Sequence, residues 1–258
     1  MKKLFAIVLA TLLLMSCFAG CAQDNSSDMS YVKNNKKLVV GITEYEPMDY
    51  KDANGEWIGF DADFARLFAA ELGVEVEFFV LADWGKKFVE LDTKNIDCVW
   101  NGMTITDEAK SSSSVSNPYV VNAQVVVMKA DKLANYTTVD SMKSLTFAVE
   151  DGSAGQSVAT KNNLTTVAVK DQAAALMEVA AGTSDACVID ITMAKAMTGA
   201  GTDYAALGMG ISLSSEEYGV SFRKGSDLTA KFNEFMNKLK ANGELQTLAT
   251  KYGVTLVD

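Results

Sequence analysis

Histidine is absent from the sequence, and proline occurs only twice in 258 residues. Without histidine there can be no Ser-His-Asp or Cys-His nucleophile system and no His-ligated metal site, so most common hydrolases and metalloenzymes are excluded. Basic residues are fewer than acidic ones, 23 against 33, and the formal net charge is −10. An acidic protein of this kind is not expected to bind nucleic acid or an anionic membrane surface as its main partner.

Cysteine is also scarce, with four residues in the chain. Cys17 and Cys21 end the first apolar run, which leaves Cys98 and Cys187 for the folded body. Each of these two lies in a short apolar run typical of a buried strand. A disulfide needs Cα atoms within about 7 Å, and the two strands are expected in different lobes. We therefore predict two buried free thiols.

The first 20 residues predict a secretion signal, because Lys2 and Lys3 precede an apolar run that ends at Met15. That run is too short for a helix crossing about 30 Å of hydrocarbon. Its end, Phe18-Ala19-Gly20-Cys21, resembles a lipoprotein signal box, which would make Cys21 the lipid-bearing N-terminus. A second possible box ends at Cys17, and a plain secretion signal is the remaining alternative. Residues 21–36 are polar and predict a flexible tether.

The rest of the chain repeats the order β-α-β-α-β twice. Strands are predicted at Leu38 to Ile42, Val74 to Val80 and Ile96 to Val99, and again at Leu145 to Val149, Val167 to Val169 and Cys187 to Ile189. Strands that alternate with helices predict an α/β fold with parallel sheets in two lobes. We expect lobe 1 to comprise 37–125 and 217–258, and lobe 2 to comprise 126–216. Two β-rich crossings, Val121 to Met128 and Ser215 to Phe222, would form the hinge.

Candidate functional residues follow strands of both lobes. Tyr45, Trp84 and the stretch 101–104 belong to the first lobe, and 152–154 with Asp190 belong to the second. If the carboxyl ends of the two sheets face each other, these residues line a cleft between the lobes. The hinge then predicts closure on a ligand.

Several spaced motifs resemble one family, the extracytoplasmic solute-binding proteins, family 3, which serve polar amino-acid ABC importers. The motifs are Trp100-Asn101-Gly102-Met103-Thr104-Ile105-Thr106-Asp107-Glu108-Ala109-Lys110, Gly59-Phe60-Asp61-Ala62-Asp63 and Asn117-Pro118-Tyr119. The resemblance implies a two-lobed, type II periplasmic-binding-protein-like fold with a two-strand hinge. It also implies a monomeric binding protein with no catalytic residues, metal or cofactor, which delivers its ligand to permease subunits from the outer face of the cell membrane.

The resemblance implies a ligand site as well. The Gly102 carbonyl, the Thr104 hydroxyl and the Asp190 carboxylate would bind a ligand ammonium, which has three donors and no acceptor. Ser153 and Ala154 would bind a carboxylate at a helix start, and Tyr45 and Trp84 would enclose the ligand side chain. The predicted ligand-binding residues are Tyr45, Trp84, Asn101, Gly102, Met103, Thr104, Gly152, Ser153, Ala154 and Asp190. For Trp84 the alternative is a core side chain, and for Asp190 it is a helix N-cap.

One position departs from the family pattern. Ala109 stands where the family usually carries an arginine that clamps an α-carboxylate through two hydrogen bonds. Lys110 points about 100° away around a helix, and Lys87 is a second candidate replacement. The sequence therefore leaves two alternatives open: an ordinary amino acid held by a substitute group, or a ligand without a free α-carboxylate.

Two other functions are compatible with the fold class. A few members of the fold are cyclohexadienyl (prephenate or arogenate) dehydratases, but such substrates require the arginine that is missing here. A sensor ectodomain is disfavoured because neither a transmembrane segment nor a signalling domain follows Asp258. Binding for transport is the expected function.

Overall fold

The computed structural model describes residues 27–258. The predicted signal segment and both candidate lipid-bearing cysteines, Cys17 and Cys21, lie outside the described residues. Within 27–258, no helix combines the length and the apolar character needed to cross a membrane.

The first described element corrects a prediction. Helix α1, Asp28–Asn35, lies in the segment that we expected to be a flexible tether. Its Val32 side chain is buried, and its Asp28 carboxylate accepts a hydrogen bond of 2.9 Å from Arg223 Nε. Met29 and Tyr31 also pack against the core, and the Met29 amide donates to Asp227 at 2.9 Å. These contacts reach distant parts of the chain, and the local sequence carries no helical apolar period that could have revealed the helix.

The first sheet has five strands in the order β4-β1-β5-β14-β6. Strand β1 pairs in parallel with β4 and β5, whereas β14 is antiparallel to β5 and β6. The elements before the first crossing are β1 Lys37–Ile42, β2 Tyr50–Lys51, β3 Trp57–Ile58, α2 Phe60–Leu72, β4 Glu75–Val80, a 3₁₀ turn at Trp84–Lys86, α3 Lys87–Asp92, β5 Cys98–Val99, α4 Asp107–Ser112 and β6 Ser114–Val115.

The second sheet also has five strands, in the order β10-β9-β11-β8-β12. Strands β10, β9 and β11 are parallel to one another, and β8 pairs in antiparallel fashion with both β11 and β12. From the first crossing onward the elements are β7 Val120–Asn122, β8 Gln124–Lys129, 3₁₀ turns at Ala130–Asn135 and Asp140–Met142, β9 Thr146–Glu150, α5 Ala154–Lys161, β10 Thr165–Val169, α6 Gln172–Ala181, β11 Ala186–Asp190, α7 Ile191–Met197 and β12 Leu207–Ser212. The chain then continues through β13 Glu216–Tyr218, β14 Ser221–Phe222, α8 Leu228–Ala241 and α9 Glu244–Tyr252.

Both sheets are therefore mixed, although we expected parallel ones. The parallel part of each sheet is the predicted β-α-β-α-β unit. The antiparallel strands come from the crossings, since a chain that arrives from the other lobe enters the sheet from its opposite end. Strand β8 belongs to the second sheet from Gln124 onward, two residues before the position at which we expected the second lobe to begin.

Two short strands connect the lobes. Strands β7 and β13 form an antiparallel pair in which Asn122 lies opposite Glu216 and Val120 lies opposite Tyr218. Because both crossings belong to one ladder, this pair is the structural basis for a hinge. Cys98 and Cys187 lie on strands of different sheets and are free and buried, which confirms the prediction of two free thiols.

Helices α2 and α8 pack on the first sheet through an aromatic cluster. Phe64 lies 5.0 Å from Trp100 and 5.4 Å from Phe232 between ring centroids, and Phe68 lies 5.3 Å from Phe232. Buried aromatic side chains of this size dominate core energetics. The cluster holds Trp100, the residue that follows β5, and so it fixes the start of the loop that faces the cleft.

Candidate functional site

A cavity of about 250 Å³ lies between the two lobes. It is lined by residues that follow β1, β4 and β5 of the first sheet and β9 and β11 of the second, together with parts of their helices. Its lining residues are Tyr45, Trp84, Lys87, Asn101, Gly102, Met103, Thr104, Thr106, Asp107, Glu108, Glu150, Gly152, Ser153, Ala154, Ser157, Lys161, Gln172 and Asp190.

The structure brings together all ten residues that the sequence singled out. Five of them, Asn101 to Thr104 and Trp84, come from the loops after β5 and β4, and Tyr45 comes from the loop after β1. Gly152, Ser153, Ala154 and Asp190 face them from the second lobe. Their contacts with a ligand remain a prediction, but their positions around one cavity follow from the topology alone.

The loop after β5 is held in shape by Gly102. Its φ is +55°, and a Cβ at this position would lie 2.5 Å from Tyr45 Cε1, so only glycine fits. Its N–H donates to Asp61 Oδ2 at 2.6 Å, and the Tyr119 hydroxyl donates to the same carboxylate at 2.8 Å. Asp61 is buried, and burial raises its pKa to about 7. This acid therefore supports the loop from behind.

Asn101 lines the cavity, but its side chain is committed to the protein. Its Oδ1 accepts from the Thr43 amide at 2.9 Å and from the Thr43 hydroxyl at 2.7 Å. Its Nδ2 donates to the Thr43 carbonyl at 3.0 Å and to Asp49 Oδ2 at 2.8 Å. The carboxamide therefore joins the loop after β5 to the loop after β1, and no side-chain donor is left for a ligand.

Tyr45 and Trp84 form aromatic walls of the cavity. The Tyr45 hydroxyl is hydrogen-bonded to the Tyr218 hydroxyl, and the two rings meet edge to face with centroids 6.5 Å apart. Trp84 opens a 3₁₀ turn whose N-cap, Asp83, accepts a hydrogen bond of 2.9 Å from the Gly85 amide. Both rings are therefore fixed by protein contacts before any ligand is bound.

Asp190 ends β11 and is only 4% exposed. Its Oδ1 accepts from Gln124 Nε2 at 2.7 Å and from Asn122 Nδ2, and its Oδ2 accepts from Gln172 Nε2. All three partners are neutral carboxamides. Burial, reinforced by the nearby charge of Glu216, raises the pKa of Asp190 to about 7. Asp190 is the N-cap residue of α7, but its side chain makes no capping hydrogen bond.

Thr104 and Asp190 belong to different lobes and are connected through Glu216. The Thr104 hydroxyl donates to Glu216 Oε1 at 3.0 Å. The same oxygen accepts from Gln124 Nε2 at 2.6 Å and from Asn122 Nδ2 at 2.7 Å. Since Glu216 lies on crossing strand β13, the network joins both lobes at the hinge. The lone pairs of the Thr104 hydroxyl stay available for a ligand donor.

The loop before α5 reaches the other lobe at a glycine pair. Gly152 has a φ of +68°, and a Cβ on it would lie 2.5 Å from Gly85 Cα. Ser153 caps α5, since its Oγ accepts from the Gln156 amide at 3.0 Å. Its own amide donates to the Glu150 carbonyl at 3.2 Å. The Ser153 O–H and the Ala154 amide are the donors that remain for a carboxylate.

Lys87 supplies the cation inside the cavity. It is 5% exposed, and its Nζ donates to the Trp84 carbonyl at 3.2 Å and across the cleft to the Gly152 carbonyl at 3.3 Å. Burial lowers the pKa of Lys87. Ala109 is 1% exposed and packs in the core beside Trp84 and Met103. Lys110 is exposed, and neither Ala109 nor Lys110 lines the cavity.

Sequence reasoning missed several lining residues, of which Glu150 and Gln172 are buried. Glu150 is the last residue of β9, and Gln172 is the first of α6, so both occupy strand-end or helix-start positions. The sequence signal that could have revealed them is a polar side chain at such a position: an acid at the end of an apolar strand for Glu150, and an amide at the start of a helix for Gln172. Within residues 27–258, no group of three or more His, Cys, Asp or Glu side chains is arranged to hold a metal ion.

A sequence profile of the bacterial extracellular solute-binding proteins, family 3, matches residues 38–255. The arginine-binding extracellular protein ArtP of Bacillus subtilis (strain 168) is 28% identical over 259 residues, which cover 98% of each chain. A crystal structure of a mutant of ArgBP from T. maritima superposes with a TM-score of 0.81 at 31% identity and covers 87% of this chain and 98% of that one.

A third similar protein is an ancestral amino-acid-binding protein described as a precursor of cyclohexadienyl dehydratase. Its crystal structure superposes with a TM-score of 0.80 at 29% identity and covers 88% of this chain and 99% of that chain. The neighbours therefore share the complete two-lobed architecture with this chain.

Proposed function

We propose that the chain captures an amino acid or a related amine-bearing solute for an ABC importer. The chain belongs to the bacterial extracellular solute-binding proteins of family 3. Capture takes place outside the cytoplasm, in the cavity between the lobes. Similar proteins named for amino acids, such as ArtP and ArgBP, support this function.

The observation that carries the proposal is the environment of Asp190. Its buried carboxylate has neutral carboxamides as partners, and an ionised carboxylate in such a place is costly without a cation. A ligand ammonium supplies that cation and three donors. The Gly102 carbonyl and the Thr104 hydroxyl, which line the opposite side of the same cavity, provide the other two acceptors.

The rest of the ligand meets the remaining walls. Tyr45 and Trp84 enclose its side chain. An α-carboxylate is bound by the Ser153 hydroxyl, the Ala154 amide and the Lys87 ammonium, since Lys87 Nζ lies 3.3 Å from the carbonyl of Gly152, next to Ser153. Lys87 then replaces the arginine whose family position is occupied by Ala109. An amino acid with a substitute clamp is the ligand class that this geometry favours.

Thermal-shift screening of the purified protein against amino acids, amines and small peptides tests the proposal, because a ligand of the folded state raises the unfolding temperature by mass action. Asp190→Asn should weaken the binding of the best ligand by roughly 10- to 150-fold, since a charge-assisted hydrogen bond contributes about 1.5–3 kcal/mol. Asp131→Asn, which removes an exposed acid of the same lobe, is the matched control. Unchanged affinity in Asp190→Asn with an intact fold would remove Asp190 from the site.

The chain functions as a binding protein and not as an enzyme, as do the similar proteins ArtP and ArgBP. A prephenate turnover assay separates this function from the dehydratase alternative. Decarboxylation and dehydration of prephenate above the uncatalysed rate would contradict the proposal.

The lipid anchor and the permease contact are further parts of the proposal. Cys21, which follows the signal box in the sequence, would carry the lipid and hold a monomeric protein to the outer face of the cell membrane. Cys21→Ala should release the protein into the medium or leave it unprocessed. Retention on the membrane with normal processing would point to Cys17 instead.

A further inference from the structure

Glu150 is a buried acid in the cavity that the binding of one ammonium does not use. It is the last residue of β9, next to β11, which ends in Asp190. It is 3% exposed, it lines the cavity, and within residues 27–258 its Oε1 has no hydrogen-bond partner. A buried carboxylate oxygen without a partner is costly, so its retention requires a compensating group.

Burial and the charges of Asp190 and Asp171 raise the pKa of Glu150 well above its usual value, and Lys87 and Gln172 offset this only in part. Lys87 is the buried cation of the cavity, and its ammonium donates to the carbonyls of Trp84 and Gly152. Asp190, Glu216 and their carboxamide partners form a network of their own. Glu150 therefore adds a second buried acid to the wall of the second lobe, beside the one that the ligand ammonium satisfies.

The charges at the cavity mouth do not change this balance. Asp107, Glu108 and Lys161 line the mouth and are exposed, where solvent and salt screen them. Among the buried lining residues, the acidic side chains are Glu150 and Asp190, and the basic one is Lys87. If Lys87 pairs with the α-carboxylate of a ligand, both buried acids require positive charge from that ligand.

We propose that Glu150 recognises a second positive charge, so that the ligand class is a solute with two separated cationic groups, such as an amino acid with a basic side chain or a diamine. This inference rests on the proposed function, because Asp190 is taken to bind the first cationic group. Glu150 lies one strand away from Asp190, and Tyr45 and Trp84 bound the same space, so an aliphatic chain between the two charges has apolar walls.

Calorimetry with three matched ligand pairs tests the proposal. The pairs are L-lysine with L-norleucine, L-arginine with L-citrulline, and cadaverine with 1-aminopentane; each pair differs in the second positive charge. At about pH 8, the wild type should bind the dicationic member of at least one pair tenfold or more tightly than its partner, because a nearby positive charge favours the ionised form of Glu150. Glu150→Gln should reduce that preference by roughly tenfold or more, because the charge-assisted contact is lost.

Controls make each outcome decisive. Glu150→Gln keeps the side-chain shape and removes an uncompensated buried acid, so its unfolding temperature should equal or exceed that of the wild type. Asp131→Asn changes the charge of the same lobe equally, at an exposed position, and should keep the preference. If Glu150→Gln weakens both members of a pair equally, Glu150 shapes the cavity and does not recognise charge, and the inference is wrong.

The proposed function can survive failure of this inference. Wild-type protein that binds norleucine or citrulline as tightly as the dicationic partner would overturn the role of Glu150 and leave amino-acid capture intact. A wild type that binds none of the six compounds and no standard amino acid would refute the proposed function, and the inference would fail with it.

Discussion

Ligand affinity should depend steeply on pH between about pH 5 and pH 8 through Asp190. Burial and the neighbouring Glu216 raise its pKa to about 7 in the empty cavity. An ammonium needs the ionised carboxylate. With a pKa of about 7, Asp190 is ionised in roughly half of the molecules at neutral pH, in about nine in ten at pH 8, and in about one in a hundred at pH 5. The apparent affinity at pH 5 should then be roughly 100-fold weaker than at pH 8.

Calorimetry over this pH range, with the tightest-binding amino acid whose side chain carries no charge, measures the effect. Because binding displaces the proton from Asp190, about half a proton should be released per ligand near pH 7, and the observed enthalpy should vary with the ionisation enthalpy of the buffer. The α-ammonium of an amino acid titrates above this range and adds no slope. Asp190→Asn should lose both the proton release and most of the pH dependence, whereas Asp131→Asn should retain them.

The stability of the empty protein should change with the opposite sign. The pKa of Asp190 and that of Asp61, also about 7, lie above their usual value of 3.8, so the folded state binds protons more tightly than the unfolded chain at these groups. Their contribution to stability therefore increases as the pH falls from about 7 toward 4. An affinity that is flat between pH 8 and 5.5, or an empty protein whose unfolding temperature falls steadily over that range, would refute the reasoning.

Three further predictions concern lobe closure, the carboxylate clamp and the N-terminal helix. Gly152→Ala should weaken ligand binding at least tenfold in calorimetry, because the new Cβ would lie 2.5 Å from Gly85 Cα. In the control Gly85→Ala, the Cβ would lie 3.8 Å from Gly152 Cα, and the loss of affinity should be less than threefold. Equal losses in the two variants would argue against a closed contact at this pair. Lys87→Met should weaken the binding of an amino acid by roughly tenfold and leave its decarboxylated amine nearly unchanged, and equal effects on both would exclude Lys87 as the clamp. Arg223→Met should lower the free energy of unfolding in urea by about 3–5 kcal/mol, since it leaves buried Asp97 without its 3.0 Å partner. Lys37→Met, in an exposed pair with Glu77, should lower it far less, and a similar cost for both would contradict this role of Arg223.

Much of the site could be predicted from the sequence because it depends on topology. A residue that follows a strand of a parallel unit lies at the carboxyl edge of its sheet, which places Tyr45, Thr104, Gly152 and Asp190 in the cavity without knowledge of their contacts. The contacts themselves could not be predicted. Whether Asn101 faces a ligand or Thr43 depends on loop geometry, and the sequence does not encode that geometry at any regular spacing.

The features that sequence reasoning missed share one property: each depends on a residue distant in the chain. Helix α1 is held by the contact between Asp28 and Arg223, 195 positions apart. Glu216 looks like an ordinary acid in a β-rich crossing, and its position becomes meaningful only because Thr104, 112 positions away, donates to it. Neither pair leaves a pattern in the local sequence, whereas the strands and the α2 apolar stripe do.

Ala109 gains a physical explanation from the same structure. Alanine is buried at this position among Trp84, Met103 and the first-sheet core, and the residues of α4 that line the cavity, Asp107 and Glu108, are acids. The interior cation comes instead from α3, where Lys87 lies 4.9 Å from the Trp84 ring centroid. An arginine clamp presents two parallel donors, but an ammonium is a compact point charge. Recognition of a carboxylate by Lys87 would therefore be less directional, and discrimination between ligands would then rest more heavily on the acids of the second lobe, Asp190 and Glu150.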